Sequence, residues 1–163
     1  MFREMRRKNQ QLPQEEALEI LKKATSGVLA VLGDEGYPYA VPLSYVYSEG
    51  KLYFHCAASG HKLDAVRNCD KASFCVISED NVIPEKYTTA FRSVIAFGRV
   101  KELAGEELQT AMRTLANKYS PDESEESFQK EMSSSMCHLC VLALEIEHLS
   151  GKEGRELMMK RRS

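Results

Sequence analysis

The sequence predicts a mainly β protein, an antiparallel barrel of six strands with helices appended at its ends and in its joints. Two observations favour this fold. Three strand-like segments follow one another directly between residues 28 and 56, and the turns between them, GDEG and SEG, are short enough to require antiparallel neighbours. A doubly wound parallel sheet is disfavoured, because its strands would need crossover helices that this stretch does not contain.

The individual elements follow from hydrophobic periodicity and turn residues. Apolar residues near the helical period predict helices in PQEEALEILKKAT and AGEELQTAMRTLANKYS, the second with a stripe of Leu108, Met112 and Leu115. The charged segment PDESEESFQKEMSSS is either a short helix or a surface excursion, and SGKEGRE at 150–156 is expected to leave the sheet. We predict helices at 13–25, 59–70 and 104–120, strands at 28–32, 37–47, 51–56, 71–79, 91–103 and 137–149, and a connection at 81–90.

The second predicted strand has a clear division between its two faces. Alternation in VPLSYVY places Val41, Leu43 and Tyr45 on one face and Pro42 and Ser44 on the other. Because Pro42 has no amide hydrogen for a ladder, it marks an edge, a bulge or an interruption of the sheet.

Composition limits the kinds of partner that the protein can have. The chain has 163 residues, of which 43% are hydrophobic, so we expect one domain over 1–163, with an N-terminal arm at 1–12 and a tail at 157–163. A net charge of −2 argues against nucleic acid or an anionic membrane as the main partner. No apolar run spans a bilayer and no signal peptide is recognisable, so we expect a soluble cytoplasmic protein.

The five cysteines predict reduced thiols, because their number is odd and no export signal is recognisable. Cys137 and Cys140 form a CxxC at the start of a strand pattern, where positions three apart face opposite sides. A shared metal ion or an easy disulfide is therefore disfavoured, and no second CxxC completes a zinc site. We predict no metal centre and interpret the cysteines as small buried hydrophobes.

The stretch HCAASGHKLD, which begins at His55, joins the third strand to the second helix. Ser59 is the expected N-cap, and helix N-terminal amides attract anions. Gly60 permits close approach of the backbone, while His61 and Lys62 add hydrogen bonding and charge. The stretch is therefore either an anion pocket suited to phosphate or an ordinary strand–helix joint. His55 either faces that pocket or is half-buried and bonded to a backbone carbonyl.

The segment GVLAVLGDEGYPYAVPLSYVYSEGKLYFHCAASGHKLDAVRNCDKASFCVISED, with FRSVIAFGRV after it, resembles the nitroimidazole-resistance (Nim) proteins. These belong to the pyridoxamine 5′-phosphate oxidase-like, FMN-binding split-barrel superfamily. The resemblance is dense over residues 1–103, thins through 104–136 and returns at LEIEHLSGK. It implies a six-stranded antiparallel split β-barrel of the FMN-binding type, and a homodimer with FMN in two clefts at the subunit interface.

The resemblance also implies which residues hold the cofactor. SGHKLD resembles the phosphate-binding joint, and VPLS resembles the segment that lines the isoalloxazine. Ser59, His61 and Lys62 would bind the phosphate, Pro42, Leu43 and Ser44 the ring, and His55 and Ala57 the ribityl chain, while Arg92, Ser93 and Val94 of a second chain, together with Lys152, would complete the cleft.

The activity that the resemblance implies is flavin-dependent reduction of a small molecule. A reduced nicotinamide would pass hydride to FMN, and an acceptor such as a nitroimidazole would receive the electrons. His55 is the titratable side chain best suited to deliver a proton, so it is the predicted catalytic residue. The alternative is a protein that binds flavin or haem, or senses redox state, without turnover. Oxidation of pyridoxamine phosphate is less favoured, because KEGRE offers only Lys152 and Arg155 as a second phosphate clamp.

Overall fold

The structure is a computed structural model and describes residues 1–135 and 138–162. Over these residues the chain forms a seven-stranded antiparallel sheet with five α-helices packed around it. The strands are β1 (Ser26–Leu32), β2 (Pro38–Ser44), β3 (Val46–Ser48), β4 (Lys51–Ala57), β5 (Lys71–Ile83), β6 (Thr88–Glu102) and β7 (Leu139–Glu153), and the helices are α1 (Gln14–Lys23), α2 (His61–Asn68), α3 (Gly105–Tyr119), α4 (Glu125–Ser135) and α5 (Arg155–Arg162).

The sheet forms a split barrel because its two edge strands are halves of one bent segment. The strand order is β2-β1-β5-β6-β7-β4-β3, so β2 and β3 lie at opposite ends of the sheet although Tyr45 alone separates them in the chain. The predicted antiparallel barrel is confirmed, and its six strands become seven because the strand predicted at 37–47 breaks at Tyr45. β2 is an edge strand, as Pro42 predicts.

Alternating apolar side chains fill the barrel. In β2, Leu43 packs against the core while Pro42 and Ser44 are exposed, as the alternation in VPLSYVY predicts. Phe54 of β4 and Phe74 of β5 are fully buried, and their ring centroids are 5.1 Å apart. Burial of each such side chain stabilises the fold by about 1.5–3 kcal/mol.

The β5–β6 hairpin is longer than the sequence predicts. Its register continues to Ile83 opposite Thr88, so the connection predicted at 81–90 contracts to a turn at Pro84–Lys86 and Tyr87. The polar residues in SEDN conceal this extension in the sequence. An antiparallel hairpin that faces water needs no apolar residues on its solvent side.

β7 also continues further than expected. It remains paired with β6 as far as Glu153 opposite Arg92, so the prediction that 150–156 leave the sheet is wrong for the first four of these residues. Gly151 is required there by close packing, since a Cβ at this position would lie 2.8 Å from the Cβ of Ala17. The segment predicted as a tail at 157–163 is largely helical, because α5 begins at Arg155.

The helices predicted at 13–25, 59–70 and 104–120 are confirmed with shorter bounds, and the undecided segment after them forms α4. α1 and α2 each bury an apolar face in the barrel core, whereas α3 packs on the outside of β3, β4 and β7. None of the described helices has the length and apolar character needed to cross a membrane. The buried residues on these helices include Ala17 and Leu21 of α1, Leu63 and Val66 of α2, and Ala111 and Leu115 of α3.

The C-terminal end of α3 provides hydrogen bonds to the backbone where the strand breaks. The hydroxyl of Tyr119 accepts a hydrogen bond from the amide of Tyr45 at 2.8 Å and lies 2.7 Å from the carbonyl oxygen of Tyr45. The carbonyl oxygen of Thr25 is also within hydrogen-bond reach, so the single hydroxyl proton is shared between two acceptors. Tyr119 therefore replaces the ladder partners that Tyr45 lacks.

Lys118 supports the same break. Its Nζ donates to the carbonyl oxygens of Tyr45 at 3.1 Å and Ala24 at 2.5 Å, and lies 4.5 Å from the centre of the Tyr45 ring. Burial lowers the pKa of Lys118. Tyr45 is itself fully buried, its hydroxyl donates to the carbonyl oxygen of Leu21 at 2.5 Å, and burial raises its pKa. α1 and α3 are thus held to the bend by hydrogen bonds.

Replacing Tyr119 with Phe should lower the free energy of unfolding by about 1–3 kcal/mol, because the amide and carbonyl of Tyr45 lose a partner. Urea denaturation followed by circular dichroism measures this change. The matched control is Tyr37→Phe, since the Tyr37 side chain is 72% exposed and should change stability by less than about 0.5 kcal/mol. Equal losses in the two variants would contradict the role assigned to Tyr119.

Candidate functional site

The split in the barrel is a seam between β2 and β4, which no ladder joins among the described strands. Ser44 at the end of β2 and His55 of β4 line the same cavity, and Pro42 and Ala57 lie two residues away from them along the same strands. All of these residues are exposed, and the residues between them along each strand face the core. The structure therefore brings Ser44 and His55 together, while the common role of Pro42 and Ala57 with them stays a prediction.

The seam ends at the joint where β4 leads into α2. Gly60 caps α2 with φ 128° and ψ 169°, a conformation that glycine adopts and other residues avoid. The prediction of Ser59 as the N-cap is therefore wrong by one residue, and no side chain caps the helix. The amide of Leu63 donates to the carbonyl of Gly60 at 2.9 Å, which leaves the amides of His61 and Lys62 outside the helical ladder.

The two basic residues of the joint differ in their contacts. The His61 ring stacks on Tyr39 with centroids 4.1 Å apart, and its Nε2 lies 3.6 Å from Oδ2 of Asp34. His61 is thus turned towards the β1–β2 turn. Lys62 makes no ion pair with any described residue, and its charge acts on the thiol of Cys56, whose pKa burial raises and Lys62 partly lowers. Lys62 is therefore the cation of the joint that remains available to an anion.

Arg67, five residues past Lys62 on α2, is not available in this way. Its guanidinium makes a bidentate contact with the carboxylate of Glu102, with nitrogen–oxygen distances of 2.6 and 3.0 Å. This agrees with the sequence, in which Arg67 lies too far from Lys62 to share the helix N-terminus.

The thiols near the joint are unsuited to metal or redox chemistry. Cys56 and Cys140 are free and face each other across the β4–β7 ladder. Burial raises the pKa of both, that of Cys140 to about 12, so neither is a ready nucleophile or ligand. Cys140 is buried, as the sequence predicts, while its CxxC partner Cys137 lies outside the described residues.

A cavity of about 380 Å³ opens beside the seam, between the barrel and the two helices α3 and α4. Ser44 and His55 lie in its floor. His55 is exposed and makes no hydrogen bond with the described residues, so the half-buried alternative for this histidine is wrong. The helical walls contribute mainly apolar side chains, which are Met112, Leu115, Ala116, Phe128 and Met132.

The sequence did not assign these wall residues to the site. The stripe of Met112 and Leu115 is visible in the sequence, but nothing local shows that α3 turns it towards His55 rather than wholly into a core. Phe128 and Met132 lie in a charged segment with weak periodicity. Their place in the site depends on how α4 returns along α3, which is a tertiary contact.

α4 is fastened to α3 by a charged contact and an aromatic one. Arg113 binds Glu125 through both guanidinium nitrogens, one of them at 2.7 Å, and lies 3.8 Å from the centre of the Phe128 ring. Gln129 also donates to Glu125 at 2.7 Å. These hydrogen bonds, that from Arg113 foremost, lower the pKa of Glu125 to about 2. Glu125 therefore stays ionised, and the contact stays intact, throughout the neutral pH range.

Arg92 lies at the opposite end of the barrel and is occupied within its own chain. Its Nε is 3.7 Å from Oε2 of Glu153, and its Nη1 is 3.6 Å from the carboxylate of Glu79. Glu153 is fully buried and receives a second arginine, Arg161, whose Nε donates to Oε1 at 2.8 Å. Two arginines thus compensate one buried carboxylate, which gives Arg92 a structural role.

Two other predicted residues cannot present their side chains to a ligand. Val94 is fully buried in the barrel, and Leu43 packs against the core. Only their backbone groups could contact a cofactor, because alternation turns these side chains inward. Ser93 and Lys152 remain on the outer face of β6 and β7, where they are register partners.

The length of β7 separates the predicted residues into two groups. Lys152 lies near the end of this strand, whereas Val141, the register partner of His55, lies near its beginning. The eleven residue steps from Val141 to Lys152 span roughly 36 Å along the strand. Within one chain, therefore, Arg92, Ser93, Val94 and Lys152 do not join the seam.

No group of three or more metal-binding side chains occurs within residues 1–135 and 138–162. The seam and the joint instead offer the free amides at the start of α2, a lysine, an exposed histidine and a serine hydroxyl.

The fold and the sequence together define the class of protein. The family model of pyridoxamine 5′-phosphate oxidase matches residues 13–153, which are most of the chain. The protein therefore belongs to this family and has its split-barrel fold. The resemblance to nitroimidazole-resistance proteins is confirmed at this level, because one of them is among the structural neighbours.

Solved structures with the same fold come from several bacteria. No curated protein matches the sequence. Because the structural neighbours described here are less than 25% identical to this chain, they show the fold alone. They include a candidate 5-nitroimidazole antibiotic resistance protein from Bacteroides thetaiotaomicron (18% identity, TM-score 0.74, 88% of this chain and 86% of that chain covered), an FAD-binding protein from Mesorhizobium loti (24%, 0.61, 88% and 96%) and an FAD and haem binding protein from Mycobacterium smegmatis (17%, 0.72, 94% and 80%).

Proposed function

We propose that this protein binds FMN along the β2–β4 seam and uses it to reduce a small molecule, a nitro compound, with a reduced nicotinamide as electron donor. The observation that carries the proposal is the seam itself. Its strands expose Pro42, Ser44, His55 and Ala57, of which Ser44 and His55 line one cavity, and β4 leads into a helix N-terminus with an unpaired lysine.

The joint suits the phosphate end of the cofactor. The amides of His61 and Lys62 lie outside the helical ladder, and the positive end of the α2 dipole adds to their attraction for an anion. Lys62 brings a full charge without a competing carboxylate partner. Gly60 has no Cβ and is exposed, so its backbone can be approached closely.

The seam suits the rest of the cofactor. Flavins require a flat, largely apolar slot and a few hydrogen-bond partners at the polar edge of the ring. Pro42 and Ala57 offer small apolar surfaces, and the hydroxyl of Ser44 and the imidazole of His55 offer polar atoms. The flavin-binding proteins among the structural neighbours support a flavin, and the resemblance of SGHKLD to the phosphate-binding joint of FMN proteins favours FMN.

The flavin supplies two-electron transfer between donor and acceptor, so the protein needs no nucleophile of its own. The remaining tasks are to position the reactants and to provide protons. His55 is exposed at the floor of the cavity and has no partner among the described residues, so it is free to exchange a proton with a reduced acceptor. A reduced nicotinamide is a cytoplasmic donor, and we expect the protein to act there.

We further propose that the protein is a homodimer with the cofactor at the interface. The outer face of β1 and β5 exposes Val28, Leu32 and Ile77, whose exposed fractions are 38%, 50% and 66%. A second copy would cover this face. It would also supply Ser93 and Lys152 to the seam of its partner, which their separation from the seam within one chain does not allow. The second chain thus serves both packing and the site.

A non-catalytic carrier of flavin or haem is the second candidate, and the exposed imidazole of His55 beside an apolar cavity favours it. Pyridoxamine phosphate oxidation is less favoured, because it needs a second phosphate clamp. Arg161 of α5 does not provide this clamp, because its guanidinium is bound to Glu153.

The FMN proposal is tested by the absorbance spectrum of the purified protein and by titration with FMN. We expect flavin maxima and one FMN per chain. Lys62→Ala should weaken FMN binding roughly 10- to 100-fold, because a charge-assisted contact to the phosphate is lost. Lys86→Ala is the control, since Lys86 is an exposed lysine of the distant β5–β6 turn. A colourless protein that takes up no FMN would refute the proposal.

The catalytic role of His55 is tested separately. His55→Ala should retain FMN but lower the rate of nitro-group reduction by roughly 100-fold or more, because the proton donor is lost. His148→Ala, on β7, is the control and should keep the wild-type rate. A wild-type rate in His55→Ala would exclude the role. A Soret band on haem addition that His55→Ala abolishes, with no turnover of any nitro compound, would favour the carrier.

The dimer is tested by light scattering of the protein in solution. Ile77→Glu should convert a particle of two chains into single chains, because it places a charge on the apolar face. Asn117→Glu places the same charge on the exposed side of α3 and should leave the dimer intact. A wild-type protein that is monomeric at micromolar concentration would refute the dimer.

A further inference from the structure

We propose that the cavity roofed by α4 is a chamber for a flat, uncharged aromatic ring, and that α3 and α4 determine which rings enter. This inference rests on the proposed function, since the ring is either that of the electron acceptor or that of the flavin. It assigns a role to residues in 105–135, which neither the joint nor the seam uses.

The lining of the chamber indicates this ligand chemistry. Apolar side chains of α3 and α4 form its walls, and Leu139 of β7 lies beside its floor. Two of the wall residues, Met112 and Met132, are methionines, whose polarisable sulfur atoms make favourable contacts with aromatic rings. A cavity of about 380 Å³ lies within the size range of small-molecule sites.

The lining of the chamber disfavours anions. Ser44 and His55 lie in the floor and offer hydrogen-bond partners to a polar substituent of a ring. A ring with a carboxylate would have to lose its hydration in a cavity whose walls are mainly apolar, whereas a neutral ring with a nitro or carbonyl group would lose much less.

The roof of the chamber is positioned by contacts outside the barrel core. Phe128 lines the chamber and also lies under the guanidinium of Arg113, so the same side chain fastens α4 and faces the ligand. Arg113 also binds both carboxylate oxygens of Glu125. α3 and α4 therefore set the shape of the chamber together.

Methionine-methyl NMR tests the chamber directly. With 13C-methyl-labelled methionine, nitrobenzene should shift the signals of Met112 and Met132 and leave those of Met1 and Met159, which are exposed elsewhere, unchanged. 4-Nitrobenzoate, which has the same ring with a charge, should bind at least tenfold more weakly. Absent shifts, equal shifts of all four methyls, or equal affinity for the two probes would overturn the proposal.

Repeating the titration with FMN identifies the ring. If nitrobenzene still shifts Met112 and Met132 after FMN is bound, the chamber holds the acceptor. If FMN alone shifts them and nitrobenzene adds nothing, the chamber holds the flavin ring. If FMN does not bind at all, the proposed function fails, but the nitrobenzene shifts still test the chamber.

Matched variants of α4 complete the test. Phe128→Glu should weaken nitrobenzene binding at least tenfold, whereas Ser127→Glu places the same charge one residue away on an exposed position and should not. If Phe128→Glu disrupts α4, Met112→Gln on α3 is the alternative variant. It should also weaken nitrobenzene binding at least tenfold. Wild-type affinity in both chamber variants would overturn the proposal.

Discussion

The bend at Tyr45 is the constraint on which the rest of the structure depends. A single segment supplies both edges of the sheet, so the backbone at the bend has no ladder partner although its side chain is fully buried. Buried amides and carbonyls must be hydrogen-bonded, and Tyr119 and Lys118 meet this need. The position of α3 follows from that requirement. Because α3 is fixed there, its apolar stripe faces the seam, and the cavity beside His55 exists.

Ion pairs within the chain determine which cations remain available at the site. Arg67, Arg92 and Arg99 are each bound to carboxylates of this chain, so they neutralise the fold rather than attract ligands. Lys62 is unpaired and lies beside free helix amides. A protein with a net charge of −2 can therefore present a locally positive joint, because Lys62 and the free helix amides lie together without a carboxylate partner for Lys62.

Local patterns predicted the fold because they depend on neighbours in the chain. Short turns fixed the antiparallel strands, alternation fixed the faces of β2, and the small residues after His55 marked the joint. Contacts between distant residues were not predictable in this way. The pairing of Arg92 with Glu153 is such a contact. It gives a structural role to a residue that the resemblance assigns to the cofactor cleft. The return of α4 along α3 is another.

Within one chain, the seam is covered from solvent at only one of its ends. Helices α3 and α4 cover the part beside Ser44 and His55, but Pro42 and Ala57 remain exposed. A flavin ring bound along the whole seam would keep one part in water, where its apolar surface gains little from binding. The apolar face of β1 and β5 is also uncovered, since the side chains of Ile77 and Leu32 are exposed to solvent. In the proposed dimer, a second copy would cover both surfaces with one interface, so cofactor binding and dimer formation would be coupled.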